Sequence, residues 1–241
     1  MAATESSALP ARPMVEAISL DLDDTLWPVL PTLIGAEQTL ARWLAENAPG
    51  AASRYTDADR ARLRKLVLSA HADQAHNMSF IRQQTLRHAL LEAGEDPALA
   101  EPAFAAFLAA RQQVTLFDEV REVLERWQQR FKLIAISNGN ADLDRIGLGD
   151  LFSVKISAHD VGFAKPDARI FALGCEQAGV KAAATLHIGD DYELDYQAAR
   201  QAGMHAAWLR RPSLKMPVLA AAADTPHHFT DLQAIHDWLG D

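Results

Sequence analysis

Two carboxylates separated by one residue follow the first strongly apolar run of the chain. The run Ala17-Ile18-Ser19-Leu20 leads into Asp21-Leu22-Asp23-Asp24-Thr25. Because side chains alternate along an extended chain, Asp21 and Asp23 are predicted to point to the same side. Such a pair suits a hard divalent cation such as Mg²⁺, which prefers oxygen ligands and retains several waters. It equally suits a division of labour between a nucleophile and a proton carrier.

Residues with phosphate-binding chemistry follow the second apolar run, Leu133-Ile134-Ala135-Ile136. Ser137 and Asn138 begin the turn Ser137-Asn138-Gly139-Asn140, whose hydroxyl and backbone N–H groups can surround phosphate oxygens. Lys165 precedes a proline and offers a cation at a rigid X-Pro junction. These residues predict a site for an anionic phosphoryl group.

A third group of carboxylates follows the apolar run Thr185-Leu186-His187-Ile188. It contains Asp190, Asp191 and Asp195, and one of these could complete a metal site. Each signal alone has a simpler explanation, because turns, surface loops and helix starts often carry Asp-x-Asp, Ser-Asn-Gly, Lys-Pro or clustered aspartates. The four signals together, each after a predicted strand or loop, favour one site at the carboxyl edge of a parallel sheet.

The apolar runs that precede these residues indicate the architecture. A fourth run is Ala206-Ala207-Trp208-Leu209, and a short strand is predicted near His228-Phe229-Thr230. Continuous apolarity is typical of strands covered on both faces, as in a parallel sheet. Helical patterns separate the later strands, two of them ending at Gly179 and Gly203. The alternation predicts an α/β fold, a Rossmann-like doubly wound parallel sheet.

The stretch from about residue 31 to residue 116 departs from this alternation, because its apolar residues recur only at helical spacing. These helices might simply cover the sheet, but a right-handed crossover needs one helix and this stretch is long enough for four. We therefore predict an inserted all-helical domain at 31–116, an α/β core at 15–30 and 117–241, and a disordered leader at 1–14.

Composition and charge narrow the range of partners. The chain has 241 residues, of which 49% are hydrophobic and 23% charged, as in ordinary globular proteins. Its 23 basic and 32 acidic residues leave a net charge of −9, which disfavours nucleic acid and anionic membranes as partners. No apolar run approaches the roughly 18 residues of a membrane span, and no signal-peptide pattern begins the chain. With a single Cys175 and no internal disulfide, a cytoplasmic protein is predicted.

These motifs resemble those of the haloacid dehalogenase-like (HAD) phosphohydrolases. The four motifs of that superfamily are matched by Asp21-x-Asp23-x-Thr25, Ser137, Lys165, and Gly189-Asp190 with Asp195. The resemblance covers the chain after about Val15 and implies a Rossmann-like core with a helical cap inserted after the first strand. It further implies a Mg²⁺-dependent phosphomonoester hydrolase that acts on a small phosphorylated metabolite.

By this resemblance, Asp21 is the nucleophile that forms an aspartyl phosphate and Asp23 is the general acid and base. The residues expected to bind phosphate are Ser137, Asn138 and Lys165. Those expected to hold Mg²⁺ are Asp21, Asp23 through its backbone carbonyl, and Asp190. Asp191 and Asp195 are expected behind the metal ligands.

A narrower resemblance is to the bacterial phosphatases that dephosphorylate FMN and 5-amino-6-(5-phosphoribitylamino)uracil. The segments that carry it are Ile136-Ser137-Asn138-Gly139-Asn140, Gly147-Leu148-Gly149-Asp150-Leu151-Phe152 and His187-Ile188-Gly189-Asp190-Asp191. Two residues are candidates for substrate selection. Trp27 could stack on an aromatic substrate and Arg82 could reach the leaving group or the phosphate, although either residue also fits an ordinary structural role.

Three other functions fit parts of the pattern. A phosphomutase of the same superfamily would transfer the phosphoryl group instead of releasing it. A dehalogenase needs no metal and lacks the second aspartate, so Asp23 argues against that branch. A non-enzymatic phospho-receiver switch uses similar residues, but its acidic pair follows the first strand and its phosphorylated aspartate a later one. The motifs leave the physiological substrate and the oligomeric state open.

Overall fold

A computed structural model describes residues 11–214 and 228–240 of the chain. The described residues form a parallel sheet from the strands β1 Ala17–Leu20, β2 Lys132–Ser137, β3 Val154–Ser157, β4 Thr185–Gly189, β5 His205–Leu209 and β6 His228–Phe229. The strand order is β3-β2-β1-β4-β5-β6, with every neighbouring pair parallel. The predicted Rossmann-like doubly wound sheet is confirmed.

Helices cover both faces of this sheet, which explains the continuous apolarity of its strands. The helices that follow the inserted segment are α6 Val120–Gln128, α7 Leu143–Ile146, α8 Ala158–Val161, α9 Ala168–Ala178, α10 Ala198–Gln201 and α11 Leu232–Leu239, numbered after the five helices of that segment. One face packs in a cluster with Trp127 and Leu124 of α6 and Ile235 of α11. The other face packs against Ile170 and Phe171 of α9.

The segment between β1 and α6 contains helices and has an apolar core of its own. Its α-helices are α1 Val29–Asn47, α2 Pro49–Ala52, α3 Asp57–Ala70, α4 Met78–Ala93 and α5 Ala100–Arg111. Leu40 and Leu44 of α1, Leu86 and Leu90 of α4, and Phe107 of α5 meet in this core. Periodic apolar positions on each helix therefore pack mainly against the other helices of the segment.

Local signals mark most ends of these helices. Thr56 caps α3 in a reciprocal capping box with Asp59, and Gly94 ends α4 in the left-handed conformation. Asn77 caps α4 by accepting a hydrogen bond from the Phe80 backbone N–H.

One difference from the prediction concerns the sheet. Strand β3 was not predicted, because its four residues include Lys155 and Ser157 and lack a continuous apolar run. Most of the predicted leader at 1–14 lies outside the described residues. Within the described part of the chain, no helix is both long and apolar enough to cross a bilayer.

Candidate active site

Three aspartates converge where β1 and β4 end side by side at the carboxyl edge of the sheet. Asp21 follows β1, and its backbone N–H donates to the Ile188 carbonyl of β4 at 2.9 Å. Asp190 follows β4 directly, and Asp195 lies in the π-helical turn Tyr192–Gln197. Carboxylate oxygens of the three aspartates lie within 4.8 Å of one another. In doubly wound sheets, ligands bind at this carboxyl edge, between the two neighbouring strands from which the strand order runs in opposite directions. Here those strands are β1 and β4.

One buried ammonium group, that of Lys165, contacts two of these carboxylates. Lys165 Nζ lies 2.5 Å from Asp21 Oδ1 and 2.5 Å from Asp195 Oδ1, and all three side chains are buried. No hydrogen bond to the Asp190 carboxylate is found within the described residues. Three carboxylates against one ammonium leave two negative charges when all are ionised. A divalent cation would balance this cluster.

The protonation of the cluster reflects this shortage of positive charge. Burial raises the pKa of Asp21 to about 7, partly offset by Lys165, and the neighbouring carboxylates raise it further. Burial together with the charges of Asp21 and Asp195 raises the pKa of Asp190 to about 9. Burial would also raise the pKa of Asp195, but Lys165 and His187 outweigh it and lower that pKa. Asp195 is thus the anion that Lys165 chiefly neutralises.

A buried hydrogen-bonded chain lies beneath Asp195. His187 Nε2 lies 3.1 Å from Asp195 Oδ1, and His187 Nδ1 lies 2.8 Å from the Ser19 hydroxyl. Burial lowers the pKa of His187, so its ring is neutral. Because ionised Asp195 only accepts, Nε2 carries the proton and Ser19 donates to Nδ1. The residue before Asp190, Gly189, leaves room for Asp195, since a Cβ at Gly189 would overlap its carboxyl group.

Asp23, the second predicted carboxylate, is held by residues outside the metal cluster. The Trp27 indole N–H donates to Asp23 Oδ1 at 2.8 Å, and Arg111 Nη2 lies 2.6 Å from both carboxylate oxygens. Asp24 adopts a left-handed conformation with φ of 57° and caps α1 through the Val29 N–H. This turn starts the inserted helices immediately beside Asp23.

The turn after β2 lies next to Asp23. Ser137 Oγ accepts the Gly139 N–H at 2.9 Å. A Cβ at Gly139 would lie 2.9 Å from Asp23 Oδ2 and 3.3 Å from Ser137 Oγ, so these two side chains border one space over Gly139. The Asn138 amide donates to the Lys165 carbonyl and accepts its N–H, at 3.0 and 2.8 Å. The Asn138 side chain is thus occupied by the backbone of Lys165 and braces that residue.

The remaining predicted residues lie farther out. Asp191 caps the π-helical turn by accepting the backbone N–H groups of Glu193 and Leu194. Its own N–H donates to Asp195 Oδ2 at 3.1 Å, which places Asp191 behind the cluster through its backbone. Trp27 is fully buried, so its ring has no face open to a substrate in this structure.

Arg82 makes its contacts inside the helical segment. It forms a 2.6 Å ion pair with Glu37, and its guanidinium lies 3.8 Å above the Phe107 ring.

A separate cavity of about 330 Å³ lies between the helical segment and the sheet, and it reaches Ser137. Residues that line it from both sides include Ser79, Leu108, Gln112, Ser137, Asn140 and Lys155.

Sequence reasoning missed two supporting residues of this site. Arg111 gives no local signal, because an arginine in the last helical turn usually interacts with the helix dipole and solvent. His187 carries a weak signal, since a histidine within a buried apolar strand needs hydrogen-bond partners. Its partners Ser19 and Asp195 become visible only when β1 and β4 pair.

Comparison with known proteins identifies the family. The family of haloacid dehalogenase-like hydrolases matches residues 15–203, and the chain belongs to this family. The predicted family, and with it the prediction of an enzyme of the phosphatase kind, is confirmed.

The individual relatives are named for different activities. The chain is 31% identical to the Escherichia coli 5-amino-6-(5-phospho-D-ribitylamino)uracil phosphatase YigB over 83% of this chain and 86% of that protein. It is 33% identical to a Thermus thermophilus phosphoserine phosphatase over 54% of this chain and 55% of that protein. Among solved structures, a 2-haloacid dehalogenase from Pseudomonas syringae superposes with a TM-score of 0.84 at 36% identity, covering 93% of this chain and 100% of that one.

Proposed function

We propose that this protein is a Mg²⁺-dependent phosphomonoester hydrolase that acts on a small phosphorylated metabolite. The observation that carries this proposal is the buried cluster of Asp21, Asp190 and Asp195 with the single ammonium of Lys165. Burying two uncompensated negative charges is costly unless a cation or protons balance them. A phosphatase of this family uses such a cation together with an aspartate nucleophile.

The donor set fits Mg²⁺. The grouped residues are all aspartates, so the donors are hard carboxylate oxygens. The His187 imidazole contacts Asp195 as a hydrogen-bond donor. Asp21 and Asp190 would hold the ion, with the Asp23 backbone carbonyl as a further ligand. When bound, Mg²⁺ supplies positive charge that favours ionised Asp21 and offsets charge on the phosphoryl oxygens. Asp195 accepts hydrogen bonds from Lys165 and His187, so it would hold Lys165 in place instead of binding the ion.

In the proposed reaction, the Asp21 carboxylate attacks phosphorus and the bond from phosphorus to the leaving oxygen breaks. Asp23 gives its proton to that oxygen, so the product leaves as an alcohol. Lys165, Ser137 and the N–H groups of the turn after Ser137 bind the phosphoryl oxygens. The side chain of Lys165 already touches Asp21 at 2.5 Å, which supports its role beside the attacking group.

The second step hydrolyses the aspartyl phosphate. Asp23, now ionised, takes a proton from a water molecule, and the water oxygen attacks phosphorus. The bond to Asp21 breaks, orthophosphate is released and Asp21 returns as a carboxylate. Two easier displacements thus replace one difficult attack by water.

The substrate class is proposed from the relatives. Residues 31–116 would act as a cap over the carboxyl edge of the sheet. Because YigB is similar over most of both chains, 5-amino-6-(5-phospho-D-ribitylamino)uracil is the first substrate to test. FMN is the second, because the motif segments resemble those of phosphatases that dephosphorylate it.

The test is release of orthophosphate by the purified protein. Substrates would be p-nitrophenyl phosphate and a panel of sugar phosphates, nucleotides, FMN and riboflavin precursors, each with Mg²⁺ and with EDTA. We expect Asp21→Asn to lower turnover by at least about 10³-fold, because it removes the nucleophile. Asp150→Asn, an exposed aspartate in the turn between α7 and β3, is the matched control. Full activity of Asp21→Asn or of the EDTA-treated enzyme would reject the proposal.

Dehalogenation is the second candidate, because the similar Pseudomonas syringae structure is described as a 2-haloacid dehalogenase. Halide release from 2-haloacids in the presence of EDTA, without phosphate release from any ester, would favour it. The retained Asp23 and the negatively charged cluster favour the phosphatase. Product analysis in the same assay separates a phosphomutase, which would form a new phosphate ester.

A further inference from the structure

The end of α5 is fastened to the loops that carry the proposed chemistry. Gln112 directly follows α5, and its amide donates to the Asn140 carbonyl at 3.2 Å and accepts the Asp142 N–H at 2.7 Å. Arg111, the last residue of α5, reaches Asp23 on the loop after β1. The inserted segment is thus joined to two active-site loops by adjacent side chains.

The contact between Arg111 and Asp23 is shielded from water on the arginine side. Arg111 is 2% exposed, whereas the Asp23 side chain keeps about a quarter of its surface accessible. The Trp27 N–H donates to Asp23 Oδ1, and Gly139 leaves no space for a Cβ beside Oδ2. The carboxyl group is therefore constrained from three sides, by Arg111, Trp27 and Gly139. Charge-assisted contacts of a buried arginine fix geometry better than exposed ion pairs do.

The position of Arg111 is unfavourable for stability alone. Its second terminal nitrogen, Nη1, is buried and has no hydrogen-bond partner among the described residues. Leaving a buried donor unpaired costs about 1–3 kcal/mol, and more for a charged group. An apolar residue would fill this place without that cost, so the arginine is better explained by what it does to Asp23.

We propose that Arg111 is a positioning residue that holds the Asp23 carboxyl group at the leaving-group oxygen. This inference rests on the proposed phosphatase function. Arg111 keeps its own protons throughout: Asp23 donates its proton as the bond to the leaving oxygen breaks, and later takes one from water. Since Arg111 belongs to the inserted segment, Asp23 is correctly placed only while α5 is docked on the core.

The test compares leaving groups. Proton donation matters most for an alkyl phosphate, whose alkoxide is a poor leaving group, and little for p-nitrophenyl phosphate. For Arg111→Met we expect kcat/KM to fall about 100-fold on the best alkyl phosphate of the screen, but less than about tenfold on p-nitrophenyl phosphate. Competitive inhibition by orthophosphate should change by less than about threefold, because Arg111 does not bind the phosphoryl group.

Two further variants separate positioning from general damage. Arg111→Lys should recover part of the lost activity on the alkyl phosphate, since an ammonium can still pair with Asp23. Gln112→Leu removes the hydrogen bonds to the loop after β2 but keeps Arg111 on Asp23, so any loss should be the same factor for both substrates. Equal losses for both substrates in Arg111→Met, weaker phosphate inhibition, or no loss at all would overturn the inference. A wild-type enzyme that hydrolyses no phosphate ester would instead overturn the proposed function.

Discussion

A single ammonium shared between two buried carboxylates needs at least one of them fixed in place. Lys165 contacts Asp21 and Asp195, and in the part of the chain that the structure describes only Asp195 has a further side-chain hydrogen bond, from neutral His187. Ser19 in turn sets the orientation of the His187 ring. Ser19 and His187 thus form a buried support beneath Asp195. Such supports commonly affect metal affinity and activity.

We expect His187→Leu to lower kcat/KM by about 10- to 100-fold and to raise the Mg²⁺ concentration that gives half-maximal activity. Asp195 would lose a donor and rotate, so Lys165 would no longer be placed at Asp21. Ser19→Ala should have a smaller effect, because His187 keeps its contact with Asp195. Phosphate-release assays across a Mg²⁺ titration measure both quantities.

The matched control is His205→Leu, which replaces an exposed histidine on β5. A folded His187→Leu variant with unchanged Mg²⁺ dependence and turnover would show that Asp195 does not need this support.

Among the elements, the inserted helices owe their stability to local capping as well as to their shared core. The capping box of Thr56 and Asp59 satisfies two backbone N–H groups at the start of α3. Helix α3 packs against α4, whose N-terminus carries Ser79, and the Ser79 hydroxyl contacts Asn140 at 3.2 Å. A change in α3 therefore tests whether the helical segment can be weakened without altering the active-site loops.

We expect Thr56→Ala to lower the free energy of unfolding by about 1 kcal/mol, because one N–H loses its acceptor. Turnover at low temperature should stay unchanged, since Thr56 lies far along the chain from every active-site residue. Urea denaturation and phosphate release measure the two effects. Thr39→Ala, at a half-buried threonine within α1, is the control and should change stability by less than about 0.5 kcal/mol. Equal stability of the two variants would contradict the cap.

For the whole molecule, the cluster links folding to pH and to Mg²⁺. The pKa of Asp21 is raised to about 7 and that of Asp190 to about 9, both from 3.8. Without metal, the folded protein therefore binds protons that the unfolded chain has already released. Stability present at low pH is then lost as the pH rises through these folded-state values. Mg²⁺ binds the ionised carboxylates, so its stabilising effect should grow over the same range.

We therefore expect the urea midpoint of the EDTA-treated protein to fall between about pH 5.5 and about pH 8.5, and Mg²⁺ to reduce or reverse the fall. Asp190→Asn should flatten the slope, because its amide does not titrate. Comparing the variant with the wild-type protein removes the contribution of all other groups. A slope that is identical in the two proteins would mean that Asp190 does not couple to folding.

Much of this organisation was predictable because it depends on local sequence patterns. Apolar runs of four residues predicted β1, β2, β4 and β5, since a strand covered on both faces has no polar side. Recurring apolar positions predicted the inserted helices, and polar residues just after the strands predicted Asp21, Ser137 and Asp190. The rule that parallel strands present ligands at their carboxyl ends then placed these residues together.

Tertiary structure alone decided which side chains support the chemistry. Arg111 pairs with Asp23 across 88 positions of the chain, and Ser19 pairs with His187 across 168. Strand β3 forms because β2 offers it a parallel edge, although its own composition is too polar to predict a strand. Local patterns record burial and backbone preference, whereas these pairings depend on which buried donors and acceptors meet after folding. The reactive groups could therefore be found by type and spacing, and their supporting partners only by proximity.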